Sequence, residues 1–261
     1  MTSNVFMSQE VVDQLEALKY KVRPLINIIL GAPLLFLTLV GISVTCILPL
    51  AAGTAIGRWW AKSLLWIAGV KIDISGLENV DPKRPCIYMP NHASMIDIPI
   101  LVAMLPVNLR FLFKKELLYI PLFGLAIYLM GMVPIDRGRR TKAKKSLKKA
   151  GDRVKEGSHL LIFPEGTRSP DGRLMQFKKG GFYLALEENI DIIPISINGS
   201  RKLGGRSSVW FQSGQIRMVV HPRISMGSYN LETRKEAIGR VREIIASGLE
   251  ADHLPAKRKS A

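Results

Sequence analysis

At 261 residues the chain is long enough to bury one full α/β core with an appendage, or two small domains. Its two cysteines, Cys46 and Cys86, give neither a disulfide framework nor a zinc spacing, which excludes a stapled scaffold and a cysteine metal centre. A net charge of +16 calls for a polyanionic partner, and the 48% of hydrophobic residues lies at the apolar edge for a water-soluble protein.

In chain order, residues 1–22 read as a weakly amphipathic helix, with Val11, Val12, Leu15 and Leu18 at helical spacing. Between Arg23 and Arg58 there is no charged residue. One helix of that length would measure roughly 50 Å, well beyond a hydrocarbon core of roughly 30 Å. Pro33, Gly41 and Pro49 interrupt the run and basic residues flank both ends, which fits a membrane-embedded hairpin better than a single crossing. Trp59 and Trp60 beside Arg58 and Lys62 resemble an interface belt at the start of an amphipathic stretch that ends near Ile67. A buried helical pair in a soluble core is the competing reading.

From Val70 onward short β-rich runs alternate with helical ones. Strands are predicted at 70–75, 86–89, 109–113, 132–135, 159–163, 192–197 and 216–220. Helices are predicted at 98–104, 122–130, 141–156, 181–188 and 233–248. This alternation implies an α/β fold with a mostly parallel mixed sheet flanked by helices, the last strand being a candidate for antiparallel pairing. The division expected is 1–69 for the amphipathic and membrane-embedded helices and 70–261 for the α/β part. Much of the excess charge lies in 137–149, and Lys257, Arg258 and Lys259 add to it. Beside a membrane segment, attraction to anionic headgroups accounts for such a run. Without an aromatic residue for base stacking, it is a poor nucleic-acid surface.

The chemistry-bearing residues fall at strand ends. Asn91-His92-Ala93-Ser94-Met95-Ile96-Asp97 follows the second predicted strand. An imidazole takes a proton near neutral pH, and a carboxylate on its other nitrogen fixes the tautomer and steadies the imidazolium. Residues five apart on one helix point roughly 140° apart, so His92 must precede a helix and Asp97 must lie in or near its first turn. Ser94 and Asp97 are both candidate caps, and Pro99 suits a first turn. By itself the pair reads first as a structural histidine with a capping aspartate.

Phe163-Pro164-Glu165-Gly166-Thr167-Arg168-Ser169 leaves the fifth predicted strand, where Pro164 and Gly166 force a turn at the sheet edge that binds ligands in open α/β folds. This places Glu165 and Arg168 on a mouth loop. Arg168 can grip a phosphate with two parallel hydrogen bonds, and Glu165 can hold that arginine or meet a substrate hydroxyl. Gly131…Ile135-Asp136-Arg137 repeats the pattern with a second candidate phosphate ligand, Arg137, and Asp136 reads as a surface charge or a helix cap. Lys114 and Lys115 end the third predicted strand and are weaker candidates of the same kind. There is no Gly-x-Ser-x-Gly elbow, metal-ligand spacing or Walker-type loop, so no metal or cofactor is expected.

Taken in order, Asn91-His92-x4-Asp97, Gly131…Ile135-Asp136-Arg137, Phe163-Pro164-Glu165-Gly166-Thr167-Arg168-Ser169 and Ile193-Pro194-Ile195-Ser196-Ile197 resemble the glycerolipid acyltransferase family, specifically the 1-acylglycerol-3-phosphate acyltransferases. The resemblance spans roughly residues 65–225. It departs at Pro134, where the family usually carries an aromatic residue. It implies that His92, oriented by Asp97, deprotonates the sn-2 hydroxyl of lysophosphatidic acid for attack on the thioester of acyl-CoA or acyl-carrier protein, giving phosphatidic acid. It also implies that Arg137, Glu165, Gly166, Thr167 and Arg168 bind the acceptor. The setting expected is the cytoplasmic face of a bacterial inner membrane, with an anionic lipid surface as partner and no nucleic acid. Another lysolipid acceptor, or a non-catalytic basic surface protein, are the alternatives.

Overall fold

The computed structural model describes residues 50–120, 123–136, 138–204 and 212–255. The expected helix at 1–22, the uncharged run up to residue 49, Arg137 and the basic tail lie outside these residues.

Helix α1 (Leu50–Ile67) joins the end of the uncharged run to the amphipathic stretch that ends near Ile67. Ala61 and Leu65 are its buried face, and Arg58 Nη2 donates to the Val107 carbonyl at 3.1 Å. Strand β1 (Val70–Ser75) follows, then β2 (Ile87–Pro90), α2 (Asp97–Met104), β3 (Leu109–Lys114), α3 (Phe123–Leu129), β4 (Val133–Ile135), α4 (Arg140–Lys155) and β5 (His159–Leu161). The chain continues through α5 (Gly180–Glu187), β6 (Ile192–Asn198), the one-turn α6 (Ser200–Leu203), β7 (Gly214–Val220) and α7 (Arg234–Ser247). All seven predicted strands and the five predicted helices occur within a residue or two at most boundaries. The single turn of α6 is too short to leave a periodic signal.

The strands form a seven-stranded sheet in the order β1-β7-β6-β2-β5-β3-β4. β6, β2, β5, β3 and β4 run parallel. β7 pairs antiparallel with β6, as expected for the last strand, and β1 joins β7 in parallel, so these two run against the other five. The core strands are apolar on both sides because helices cover both faces. Along β2, Cys86 and Tyr88 enter one apolar cluster with α1 and α2, while Ile87 and Met89 enter the other with α4, α5 and α7. β1 alternates half-buried and exposed residues, with Ile72 and Ile74 turned inward, as suits an edge strand. Among the described residues no helix is long and apolar enough to cross a membrane.

Two contacts hold β2 against β6 beyond their register. The ladder pairs Pro90 with Ile195, and the side chain of Asn91 continues it. Asn91 Nδ2 donates to the Ile197 carbonyl at 2.9 Å, and Oδ1 accepts from the Ile197 N–H at 2.8 Å. Asn91 is buried, so removing its amide strands a donor and an acceptor in the core, at a cost of about 1–3 kcal/mol. Asn91→Ala is therefore expected to lower the free energy of urea unfolding by about that amount, whereas a substitution at exposed Lys71 leaves it unchanged.

Candidate active site

His92 stands just past the carboxyl end of β2, the central strand of the seven-stranded sheet. Its Nδ1 lies 2.8 Å from Asp97 Oδ2. That oxygen also accepts the Ala93 and Ser94 N–H groups, both at 2.9 Å. An oxygen receiving two backbone donors acts as an acceptor towards the ring as well, so Nδ1 carries the proton and Nε2 presents its lone pair. Among the described residues Nε2 has no hydrogen-bond partner. Neither candidate cap is the N-cap of α2. Ile96 holds that position without a side-chain bond, and Asp97, the first helical residue, folds back over the turn. Ser94 instead donates its hydroxyl to the Gly204 carbonyl at 2.5 Å.

The loop after β5 fixes His92 from the other side. Glu165 Oε1 accepts the His92 N–H at 2.7 Å, and the Ser169 N–H donates to the His92 carbonyl at 2.8 Å. The Phe163 ring stacks on the imidazole with centroids 3.8 Å apart and planes at 21°. The backbone on both sides of the residue, one ring nitrogen and one ring face are thereby held, and the His92 side chain keeps 12% exposure.

Glu165 corrects one expectation. It is buried at 2% exposure rather than displayed on a mouth loop, and its two oxygens are taken by the His92 and Met175 N–H groups, the latter at 2.9 Å. Its carboxylate is anchored to backbone, so neither Arg168 nor a substrate hydroxyl is needed as partner. Burial pushes its pKa up to about 7, against the pull of the same two N–H donors. Gly166 allows the turn: its φ is +70°, and a Cβ there would come within 2.7 Å of Lys178 Cδ. Thr167 is exposed, and Arg168 is half-buried with a buried Nη1 that has no partner among the described residues.

The strand-end lysines divide. Lys115 Nζ sits 2.6 Å from Asp136 Oδ2, while Asp136 Oδ1 accepts the Gly138 N–H at 3.1 Å. Lys115 thus holds the turn on either side of position 137 through Asp136, instead of presenting a spare cation. The pair raises the lysine pKa and lowers that of the aspartate. Lys114 is exposed, with Glu116 3.9 Å away. The structure brings His92, Asp97 and Glu165 together and places Arg168 on the same loop.

Phe163, Met175 and Asn91 complete the site's frame without having been assigned roles from sequence. Phe163 reads there as the end of a strand, and Met175 contributes only a backbone group. Glu250, Asp252 and His253 could reach one metal ion. His253 already uses both ring nitrogens, however, at 3.0 Å from the Gly172 carbonyl and 3.3 Å from the Gly199 N–H.

With this geometry in hand, the comparisons with known proteins are specific. Residues 71–198 match the Acyltransferase family. The chloroplastic 1-acyl-sn-glycerol-3-phosphate acyltransferase BAT2 of Brassica napus is 36% identical over 65% of this chain, which spans only 49% of that protein. The 1-acyl-sn-glycerol-3-phosphate acyltransferase of Limnanthes alba is 30% identical over 78% of this chain and 72% of its own length. The chain belongs to the 1-acyl-sn-glycerol-3-phosphate acyltransferase family. The crystal structure of the 1-acyl-sn-glycerophosphate (LPA) acyltransferase PlsC from Thermotoga maritima superposes on this acyltransferase fold with a TM-score of 0.73 and 25% identity. That match covers 87% of this chain and 95% of the other.

The buried carboxyl of Glu165 gives a pH test with a definite sign. Its pKa of about 7 lies above the ordinary 4.5, so between these values the fold binds a proton that the unfolded chain releases. Its contribution to stability is present below the lower value and is lost as pH rises through the upper one. Urea unfolding of the wild type is expected to weaken between pH 5 and pH 8 by on the order of 2 kcal/mol more than that of Glu165→Gln. Equal slopes in the two proteins would refute the assignment.

Proposed function

We propose that this protein transfers an acyl group from a thioester to the free sn-2 hydroxyl of 1-acylglycerol-3-phosphate, forming phosphatidic acid. The observation that carries the proposal is the His92–Asp97 pair, held on several sides and offering Nε2 at the carboxyl edge of the parallel strands. The proteins it resembles over most of its fold carry this activity in their names.

In the proposed reaction, Nε2 of His92 takes the hydroxyl proton as the oxygen attacks the thioester carbonyl. Asp97 steadies the imidazolium that forms. The tetrahedral intermediate collapses, the C–S bond breaks, and the thiolate recovers the proton from Nε2. No acyl-enzyme is required. General-base catalysis accounts for about 10²–10⁴-fold, and positioning supplies much of the rest. Arg168, with its unpartnered Nη1, is the described residue best suited to the acceptor phosphate. Arg137 shares that role by family resemblance, and Thr167 and Gly166 shape the loop. The donor is acyl-CoA or acyl-carrier protein.

The acceptor is a lipid, so the enzyme is assigned to a membrane surface, on the cytoplasmic face of a bacterial inner membrane. The uncharged run before Arg58 serves as its embedded segment. On α1, Trp59, Lys62 and Trp66 fall on one exposed stripe beside the buried Ala61 and Leu65, an arrangement that suits a headgroup layer.

A panel of lysolipid acceptors and both donors tests the reading on purified protein. His92→Ala is expected to lower kcat/KM for phosphatidate formation by about 10²–10⁴-fold without loss of folding. Arg168→Ala is expected to raise KM for the phosphate-bearing acceptor by roughly tenfold, and to change much less with acceptors lacking a terminal phosphate. An active His92→Ala variant would leave a non-catalytic basic surface protein as the better description. Equal loss on every acceptor in Arg168→Ala would point to a different lysolipid.

A further inference from the structure

Exposed large apolar side chains are not scattered over this molecule. Among the described residues, six of the eleven fall between positions 118 and 129: Leu118, Tyr119, Ile120, Leu125, Tyr128 and Leu129. Tyr119 is the most exposed of all at 81%. They belong to two adjoining pieces, the 3-10 turn Lys115–Tyr119 with Ile120, and helix α3. Gly124 lets the two meet backbone to backbone, since a Cβ there would come within 2.5 Å of the Leu117 carbonyl oxygen and Leu118 Cα. α3 itself is two-faced. Ile127 packs inward with Phe113 and Met132, while Leu125 and Leu129 project from the opposite side.

The charges bordering this patch are mostly cationic, with Glu116 the one carboxylate in the turn itself. Lys149 of α4 lies over the Tyr128 ring, 5.5 Å from its centroid. Lys142, Lys145 and Lys148 are exposed on the same helix, and Lys114 is exposed where β3 meets the turn. An apolar face containing tyrosines and bordered by lysines complements an anionic lipid layer: acyl tails for the leucines, the glycerol level for tyrosine hydroxyls and phosphates for ammonium groups. A protein partner would have to be both acidic and apolar over the same small area. Position adds a further argument. The turn starts at the carboxyl end of β3, the edge of the sheet that carries His92 at the end of β2.

We propose that the 115–120 turn and α3 form a membrane contact of the catalytic domain itself, separate from the N-terminal segment, which seats the active-site edge on an anionic bilayer. This rests on the lipid-acyltransferase reading for its purpose, though not for its geometry.

The test uses the full chain and a Tyr119→Ser, Leu125→Ser, Leu129→Ser variant, all three substitutions being at exposed positions. Hydrogen exchange of peptides covering α3 is measured with and without vesicles of phosphatidylglycerol and phosphatidylcholine. Acyl transfer is measured with long-chain acceptor in those vesicles and with short-chain acceptor below its micellar concentration. Vesicles are expected to protect α3 in the wild type, more strongly with phosphatidylglycerol and less at high salt, and to leave it unprotected in the variant. The variant should lose roughly tenfold in kcat/KM on vesicle-borne acceptor and retain its rate on the monomeric one. Absence of protection by vesicles overturns the proposal even if transfer activity is normal. So does protection produced by acyl-carrier protein alone, or by self-association that the substitutions abolish. If neither acceptor is used by the wild type, the function assigned above fails, while exchange still decides the membrane contact.

Discussion

The structure depends on how little freedom is left to one residue. His92 sits between two strands' worth of constraint: Asp97 from the following helix takes its Nδ1, and the loop after β5 takes its N–H, its carbonyl and one ring face. A loop end that would otherwise sample many conformations is fixed by bonds from the helix that follows it and from the sequence-distant loop after β5. General-base catalysis gains from such pre-organisation, because the orientation needed in the transition state is already present in the ground state. Asn91 extends the same constraint into the sheet by tying the preceding residue to β6.

Glu165 shows that a charged residue in a ligand-binding loop can serve the frame. Carboxylates are costly to bury, and this one is accommodated by two backbone donors drawn from positions 73 and 10 residues away. Its removal would unfasten the loop from His92. Lys115 has a comparable role at the neighbouring strand end, where its partner Asp136 also grips the Gly138 N–H. In both cases a charged side chain at a strand end supports the backbone of the loop around it.

The strands and helices were legible because each is patterned locally. Short runs rich in Ile, Leu and Val separated by Gly, Pro and charged residues fix the elements, and the five-residue interval from His92 to Asp97 forces a strand-to-helix turn. The reversed direction of β1 was not legible, since an edge strand with alternate burial reads the same in either orientation. The stack of Phe163 on His92, and the choice of partner for Glu165 and Lys115, are tertiary facts: residue type announces a donor or acceptor but not which group it meets. Sequence identified the carboxylate beside the histidine because the two are near neighbours in the chain, and misplaced the one that is 73 residues away.

The reversed pair β1 and β7 has a consequence for traffic. Running against the parallel strands, β1 begins at the edge where β2 and β6 end, so α1 delivers its last turn to the same rim as His92. If the acceptor is the lipid proposed above, a molecule resting against that turn reaches His92 by sliding along one layer, with its tails never exposed to water. Under the proposed function, encounter then becomes a search in two dimensions, and the product departs into the same sheet of lipid from which its precursor came.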